Sequence, residues 1–389
     1  MSRFFRLNSD RTCIPVPLDN HFAGTSPSAC WLIGGGPSLP SLRIDEIANS
    51  TLPKMCINLS GTRLLRPTFW TSYDPTVRFH RSIYLDPSVM KFVHRRRAFD
   101  VVPETNHKVC DCPNLLFFDR LEKRGFSDLL SQDCEGIVDW ADSMVQAIEI
   151  LFRLGFRKIY LAGCDMRINP SREQISLASR YGVTWEPFQL LHDFLRSCQQ
   201  AGLSEEELDR AGPGKQYHFE EWKPIRAAAA TDFHYFRVAQ YLRLSRRAIS
   251  LAGLQLISVT PHSRLNDYFP YEPVGRVLTR IRTEVGNPSL EHTSGLYTSN
   301  SPRPSSDLGP MRDFRPHGWP SESKPQPSPK PSTSPAKFKP LQGEPEILVE
   351  KEGFEPSPEE HHPEGKKKRR LREFAINLGR NEPELNEDA

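Results

Sequence analysis

The sequence predicts an α/β protein with a doubly wound, mostly parallel sheet, and three observations predict it. Short apolar runs alternate along the chain with segments of helical periodicity. These runs end in glycine, asparagine, aspartate or serine, which in a parallel sheet gathers polar groups along one edge. Proline is abundant, at 35 of 389 residues, and it is densest in the last hundred, which hold 16 of them, so a folded part precedes a tail of different character. The expectation is a Rossmann-like domain over 28–275, after an irregular lead-in at 1–27 and before a disordered Pro-rich tail at 286–389.

Residues 1 to 27 are polar and carry prolines. The first βα unit runs from Ala29 to about Asn49. An apolar run, Ala29–Ile33, stops at Gly34-Gly35-Gly36, followed by Pro37 and Ser38. Leu39, Leu42 and Ile47 then recur at helical spacing. Glycines without Cβ let backbone N–H groups approach an anion, and a helix start adds unpaired N–H groups and partial positive charge. The turn therefore reads as a phosphate receptor at a strand end.

Lys54–Ile57 is the second predicted strand, ending at Asn58-Leu59-Ser60. Phe69–Tyr73 is the third, ending at Asp74. In the middle, Ile83–Leu85, Lys91–Val93 and Leu115–Phe118 read as strands. His94-Arg95-Arg96-Arg97 is a basic knot, read as a solvated loop, with a phosphate or membrane contact as the other reading. Asp142-Ser143 caps a helix over Met144–Leu154, and Gly155 ends it. Lys158–Ala162 is a strand ending at Gly163-Cys164-Asp165-Met166-Arg167. Helices are predicted over Trp185–Ala201, Ser204–Ala211 and Asp232–Leu251, and a last strand over Gln255–Val259.

The segment 299–345 is rich in Ser, Pro, Lys and Gly and lacks apolar periodicity, so it buries too little surface to offset chain entropy. The basic cluster 366–370 follows, read as a flexible tail or as a contact for an acidic or nucleic-acid partner. The formal net charge is only +3, so no global field argues for nucleic acid. Eight cysteines are scattered. Cys30, Cys56 and Cys164 sit in or beside strand patterns as small hydrophobes, and Cys110-Asp-Cys112 has no second pair to complete a zinc site. No apolar leader and no membrane-length run is visible, which predicts a cytoplasmic protein.

Polar groups collect at four strand ends: Gly34 to Ser38, Asn58 to Ser60, Asp74, and Gly163 to Arg167. Ser143 starts a helix that points at the same place. A nucleotide needs these types: glycine backbone for phosphate, amides and hydroxyls for ribose and base, a cation for the leaving phosphate.

Leu32-Ile-Gly-Gly-Gly-Pro-Ser-Leu39, Ile57-Asn58, Ser143 with its helix, and Leu154-Gly-Phe-Arg-Lys-Ile-Tyr-Leu-Ala-Gly-Cys-Asp165 together resemble the bacterial glycosyltransferase family 42 sialyltransferases. They are equally similar to the MptE-like group of motility accessory proteins and an archaeal pterin diphosphokinase. Phe233-His234-Tyr235, a helix, and Val259-Thr-Pro-His-Ser-Arg-Leu265 extend the resemblance over about 29–270. It implies a nucleotide-sugar glycosyltransferase acting on a glycan or protein hydroxyl, without a tightly bound cofactor. The glycine turn, Asn58, Ser60, Asp74, Ser143, Asp165, Thr260, Pro261 and Ser263 would hold the nucleotide. His234 falls at the general base. Arg167 stands where the sialyltransferases carry a phosphate-steadying tyrosine, and Gly35 where they carry asparagine. The MptE-like alternative implies ATP and Mg²⁺ held by Asp74 and Asp165; a non-catalytic nucleotide-binding protein is the third reading.

Overall fold

The protein is described by a computed structural model over residues 3–23, 28–60, 64–212, 217–219 and 221–284. The tail 286–389, its cluster 366–370 and the readings made on them lie outside the described residues.

The chain begins with a hairpin, β1 (Phe4–Leu7) and β2 (Cys13–Val16). Next come β3 (Ala29–Ile33), α1 (Ile44–Ala48), β4 (Lys54–Ile57), β5 (Phe69–Thr71), α2 (Arg81–Tyr84), β6 (Met90–His94) and β7 (Leu115–Phe118). A small parallel pair, β8 (Arg120–Leu121) and β9 (Ile137–Val138), precedes α3 (Ser143–Arg153) and β10 (Lys158–Ala162). Then come α4 (Arg172–Arg180), α5 (Leu191–Gln200), α6 (Glu205–Ala211), α7 (Ile225–Leu244), α8 (Arg246–Leu251), β11 (Gln255–Ser258) and α9 (Val274–Glu284).

Nine strands form one sheet in the order β11-β10-β3-β4-β5-β6-β7-β1-β2. Neighbours from β11 to β7 are parallel; only β1 runs against them, pairing antiparallel with both β7 and β2. The class is therefore α/β with a large, mostly parallel central sheet. All five residues of β3 are buried, as a strand covered on both faces requires. Cys30 and Leu32 face a core shared with α3, α7 and α8, while Trp31 and Ile33 face one shared with α1, α2 and α9. A third cluster, built from α4, α5, α6 and the start of α7, forms a helical annex.

The order reverses at β3. The chain steps outward from β3 to β4 on one side, then returns through α3 to place β10 on the other. Neither connection covers the gap between the carboxyl ends of β3 and β10, which is where open α/β sheets bind ligands.

Several expectations are corrected. Residues 1–27 are not simply an irregular lead-in, because β1 pairs with β7 and extends the sheet. Pro15 is tolerated because β2 is the edge strand, where a missing N–H goes unnoticed. Ile83–Leu85 is helix rather than strand, started by His80, whose Nδ1 accepts from Ser82 N–H at 3.3 Å. The helix placed over Asp232–Leu251 begins seven residues earlier, at Ile225, after Pro224. Helix α4, with Ser171 and Gln174 in a reciprocal cap, and helix α9 were not foreseen. The α9 residues Val277, Leu278 and Ile281 pack on the sheet, so the folded part passes residue 275.

The cysteine expectation fits for Cys30, Cys56 and Cys164, which are buried and unbridged. Burial pushes all three thiols far up, which leaves them inert. Among the described residues no helix is long and apolar enough to cross a membrane.

Candidate functional site: a cleft at the sheet's switch point

A cleft of about 400 Å³ opens at the carboxyl ends of β3, β4, β5 and β10. Its walls hold Gly34, Gly35, Gly36, Asn58, Ser60 and Asp74, together with Ser143, Asp165 and His234. Most of the residues picked from the sequence thus meet in one place.

The glycine turn works differently from expectation. Gly34 N–H donates to Ala162 O at 2.7 Å and Gly36 N–H to Gly163 O at 2.8 Å. Two of the three donors meant for phosphate are thus used to join β3 to β10. A Cβ on Gly36 would collide with the Asp165 carboxylate, and one on Gly35 with the His218 ring. Close approach of protein groups, rather than of an anion, accounts for both glycines. No long helix follows, only a 3-10 turn at Leu39–Ser41 and the five-residue α1, so the macrodipole invoked for phosphate is missing at this turn. The Asp165 carboxyl, pushed up by burial, takes a hydrogen bond from Ser38 Oγ at 2.8 Å.

Asn58 is the hub of the cleft floor. It sits in the left-handed region at φ 52°, a conformation asparagine accepts more readily than most residues. Its Oδ1 accepts from Ser72 Oγ at 2.6 Å and Ser143 Oγ at 2.8 Å. Ser143 Oγ in turn accepts from Tyr73 N–H at 2.9 Å. This network ties the ends of β4 and β5 to the start of α3. Ser60 is structural: its hydroxyl, 2.5 Å from Ile33 O, links the β3 and β4 ends.

Asp142 performs two tasks. Its Oδ1 caps α3 by accepting from Met144 and Val145 N–H at 2.8 and 2.9 Å. Its Oδ2 lies 3.1 Å from His234 Nε2, across 92 residues of chain. His234 is in the middle of α7, not at its start, and is partly exposed to the cleft. A carboxylate on Nε2–H selects the tautomer whose Nδ1 carries the lone pair.

The opposite wall was not foreseen. Arg78, Lys223, Tyr217 and Glu221 line it. Arg78 Nη1 pairs with Asp74 Oδ2 at 2.5 Å. Lys223 Nζ donates to Thr231 Oγ1 at 2.9 Å and lies 4.1 Å from the Tyr217 ring centroid. Burial, reinforced by Arg78, pushes its ammonium down to about 8; Glu221 and Asp74 oppose this. Two cations, Arg78 and Lys223, therefore share a half-buried wall with the carboxylates Asp74 and Glu221. No local pattern marks Arg78 or Lys223, because each stands in a loop whose position the rest of the fold sets. Asp142 was legible as a cap, not as the partner of His234.

The remaining picks fall elsewhere. Arg167 donates to Pro187 O at 3.0 Å and stacks on Phe188. It lines a neighbouring depression with Pro37, Ser38, Asp165 and Pro261, not the cleft, so it does not meet His234. Thr260 and Ser263 are buried and engaged. Thr260 Oγ1 accepts from Cys164 N–H and donates to Leu161 O, both at 3.2 Å, and Ser263 Oγ donates to Cys164 O at 2.6 Å. They hold β11 to β10 rather than facing a ligand. Asp74 and Asp165 do share the cleft, but one is paired with Arg78 and the other capped by Ser38. Among the described residues no group of three acidic, histidine or cysteine side chains is arranged to hold a metal. In comparisons with known proteins, no family model, no curated protein and no solved structure matches this chain.

Proposed function

We propose that this protein is a nucleotide-sugar-dependent glycosyltransferase on a Rossmann-like sheet. It moves a sialic-acid-like or other sugar from a CMP-activated, or other nucleotide, donor to a glycan or protein hydroxyl. The observation that carries the reading is the Asp142–His234 pair, 3.1 Å apart, beside the Asn58–Ser143 network in a cleft at the switch point. An imidazole oriented by a carboxylate on one nitrogen can act as a general base through the other.

His234 Nδ1 takes the proton of the acceptor hydroxyl as its oxygen forms a bond to the anomeric carbon. The bond from that carbon to the nucleotide phosphate oxygen breaks, and its electron pair leaves on the phosphate. Arg78 and Lys223, in place of Arg167, meet the charge that develops there. Asn58 and Ser143 orient the nucleoside. Asp142 steadies the imidazolium once it forms.

Calorimetric titration with CMP, UDP, GDP and ATP, with and without Mg²⁺, tests the reading. Binding of a pyrimidine or guanine nucleotide without a metal requirement is the expected result. No affinity for any of them removes the proposal. Magnesium-dependent ATP binding without CMP binding replaces it with the diphosphokinase.

A further inference from the structure

The basic knot at the end of β6 lies beside the cleft and takes no part in the chemistry above. Arg120, from β8, is stacked on the cleft residue Tyr73, its guanidinium carbon 3.8 Å from the ring centroid. Its Nε and Nη2 donate to Gln146 Oε1 at 3.1 and 2.7 Å. Gln146 is itself locked by Thr71 Oγ1 at 2.7 Å. The guanidinium is thus fixed in a half-buried position by a ring and an amide, neither of which is an anion. Burial pushes its pKa down, and Arg97 and Arg96 add to that, while Tyr73 and Asp139 oppose it.

The surrounding charges do not balance it. Arg95 is matched by Asp119 at 2.9 Å, and Arg97 reaches Asp100 at 3.7 Å. Arg96 is exposed and forms no ion pair among the described residues. Asp139 is the acidic side chain nearest Tyr73, accepting from its hydroxyl at 3.4 Å. Burial and the surrounding arginines push the His94 imidazole down to about 4, so it adds no charge at neutral pH. Asp139 is the one carboxylate that acts on Arg120, and it forms no ion pair with it among the described residues, so the half-buried guanidinium held by Tyr73 and Gln146 leaves a place for a bound carboxylate or phosphate.

We propose that Arg120, with Arg96 and Arg97, forms a subsite for an anionic group, a carboxylate or phosphate, on the acceptor molecule bound beside Tyr73. A small anion is favoured over a membrane, because Arg120 is stacked on Tyr73 and held by Gln146 rather than projecting outward. The acceptor role rests on the glycosyltransferase reading; the anion site itself does not. The acceptor accordingly carries a carboxylate or phosphate group.

The test uses the full chain with arginine-selective ¹⁵N labelling, titrated with inorganic phosphate and with acetate. The Arg120 Nε–H signal is expected to shift and saturate, and to do so also in the Arg78→Ala/Lys223→Ala variant. Arg120→Gln is expected to weaken the phosphate site about tenfold, as loss of a charge-assisted hydrogen bond should. Arg96→Ala, at an exposed position, is a milder variant that weakens it less and serves if Arg120→Gln does not fold. Shifts confined to Arg78 overturn this proposal and leave the cleft reading standing. A shift at Arg120 without affinity for any nucleotide keeps the subsite and removes the transferase. Arg96-dependent binding to phosphatidylserine vesicles, with no Arg120 shift from free phosphate, overturns it in favour of a membrane contact.

Discussion

Two polar clusters sit at neighbouring strand ends and look alike in sequence. Asn58, Ser72 and Ser143 gather at the ends of β4 and β5; Thr260 and Ser263 gather at the ends of β10 and β11. Both bring small hydroxyl or amide groups to the carboxyl edge of a parallel sheet. They differ in what lies beyond them. Asn58 and Ser143 line the cleft, whereas Thr260 and Ser263 are only 0% and 3% exposed and bind Cys164 and Leu161 backbone. The first cluster borders the cleft through half-buried Asn58, although the Ser72 and Ser143 hydroxyls are themselves buried and engaged with Asn58 and Tyr73; the second is locked into strand joining away from it. A polar residue at a strand end is a site only where the fold leaves an opening above it, and here that opening lies over the ends of β3, β4, β5 and β10.

Substitutions separate the two clusters further, by what each should lose. The largest effect is expected beside the open cluster. His234→Ala should lower the transfer rate by about 10²–10⁴-fold with little change in fold, by steady-state kinetics and circular dichroism. A full rate in that variant would mean that the Asp142 pairing is only structural. Asp232→Ala should destabilise by about 3–5 kcal/mol in urea unfolding, because it leaves the buried Arg264, 3.1 Å away, without its partner.

Next comes the direct contrast. Ser143→Ala should weaken nucleotide binding about tenfold in calorimetry. Thr260→Val should leave that affinity alone and instead lower stability by about 1–3 kcal/mol, since Cys164 N–H loses its acceptor. If Thr260→Val weakens the nucleotide and Ser143→Ala does not, the assignment of the two clusters is inverted.

A pH effect of similar or smaller size follows from Lys223. Its ammonium sits at about 8, well below the ordinary 10.5. The group is mostly charged below that value and mostly neutral above it, so under the proposed function its attraction for a phosphate is nearly full at pH 7 and fades as pH rises through 8. Calorimetry between pH 7 and 9.5 should show the affinity falling, and Lys223→Met should flatten the trend. The smallest effect belongs to Arg167→Ala, which should change nucleotide affinity less than about twofold, because its guanidinium is turned to Pro187 and Phe188.

Local pattern was enough for the skeleton. Ala29–Ile33, Lys54–Ile57, Leu115–Phe118 and Lys158–Ala162 were legible as strands because each is a short apolar run bounded by turn residues. The cap at Asp142 was legible because helix starts select aspartate. The sheet-edge rule then places Asn58, Asp74, Ser143 and Gly34–Gly36 on one edge, where the structure has one cleft. What failed was everything that depends on which partner a polar group finds. The N–H groups of Gly34 and Gly36 went to β10 because parallel strands at van der Waals distance satisfy their own donors. The cations of the cleft came from loops at 78 and 223, which no periodicity marks.

The sequence by itself determined the class of this protein, the order of its main elements and the edge where its polar groups gather, because those follow from hydrophobic spacing and turn chemistry within a few residues. Only the tertiary structure decided that Asp142 meets His234 92 residues away, and that Arg78 and Lys223 rather than Arg167 line the cleft. Contacts between distant segments are set by how the layers pack, and packing depends on the whole core at once rather than on any one stretch of chain.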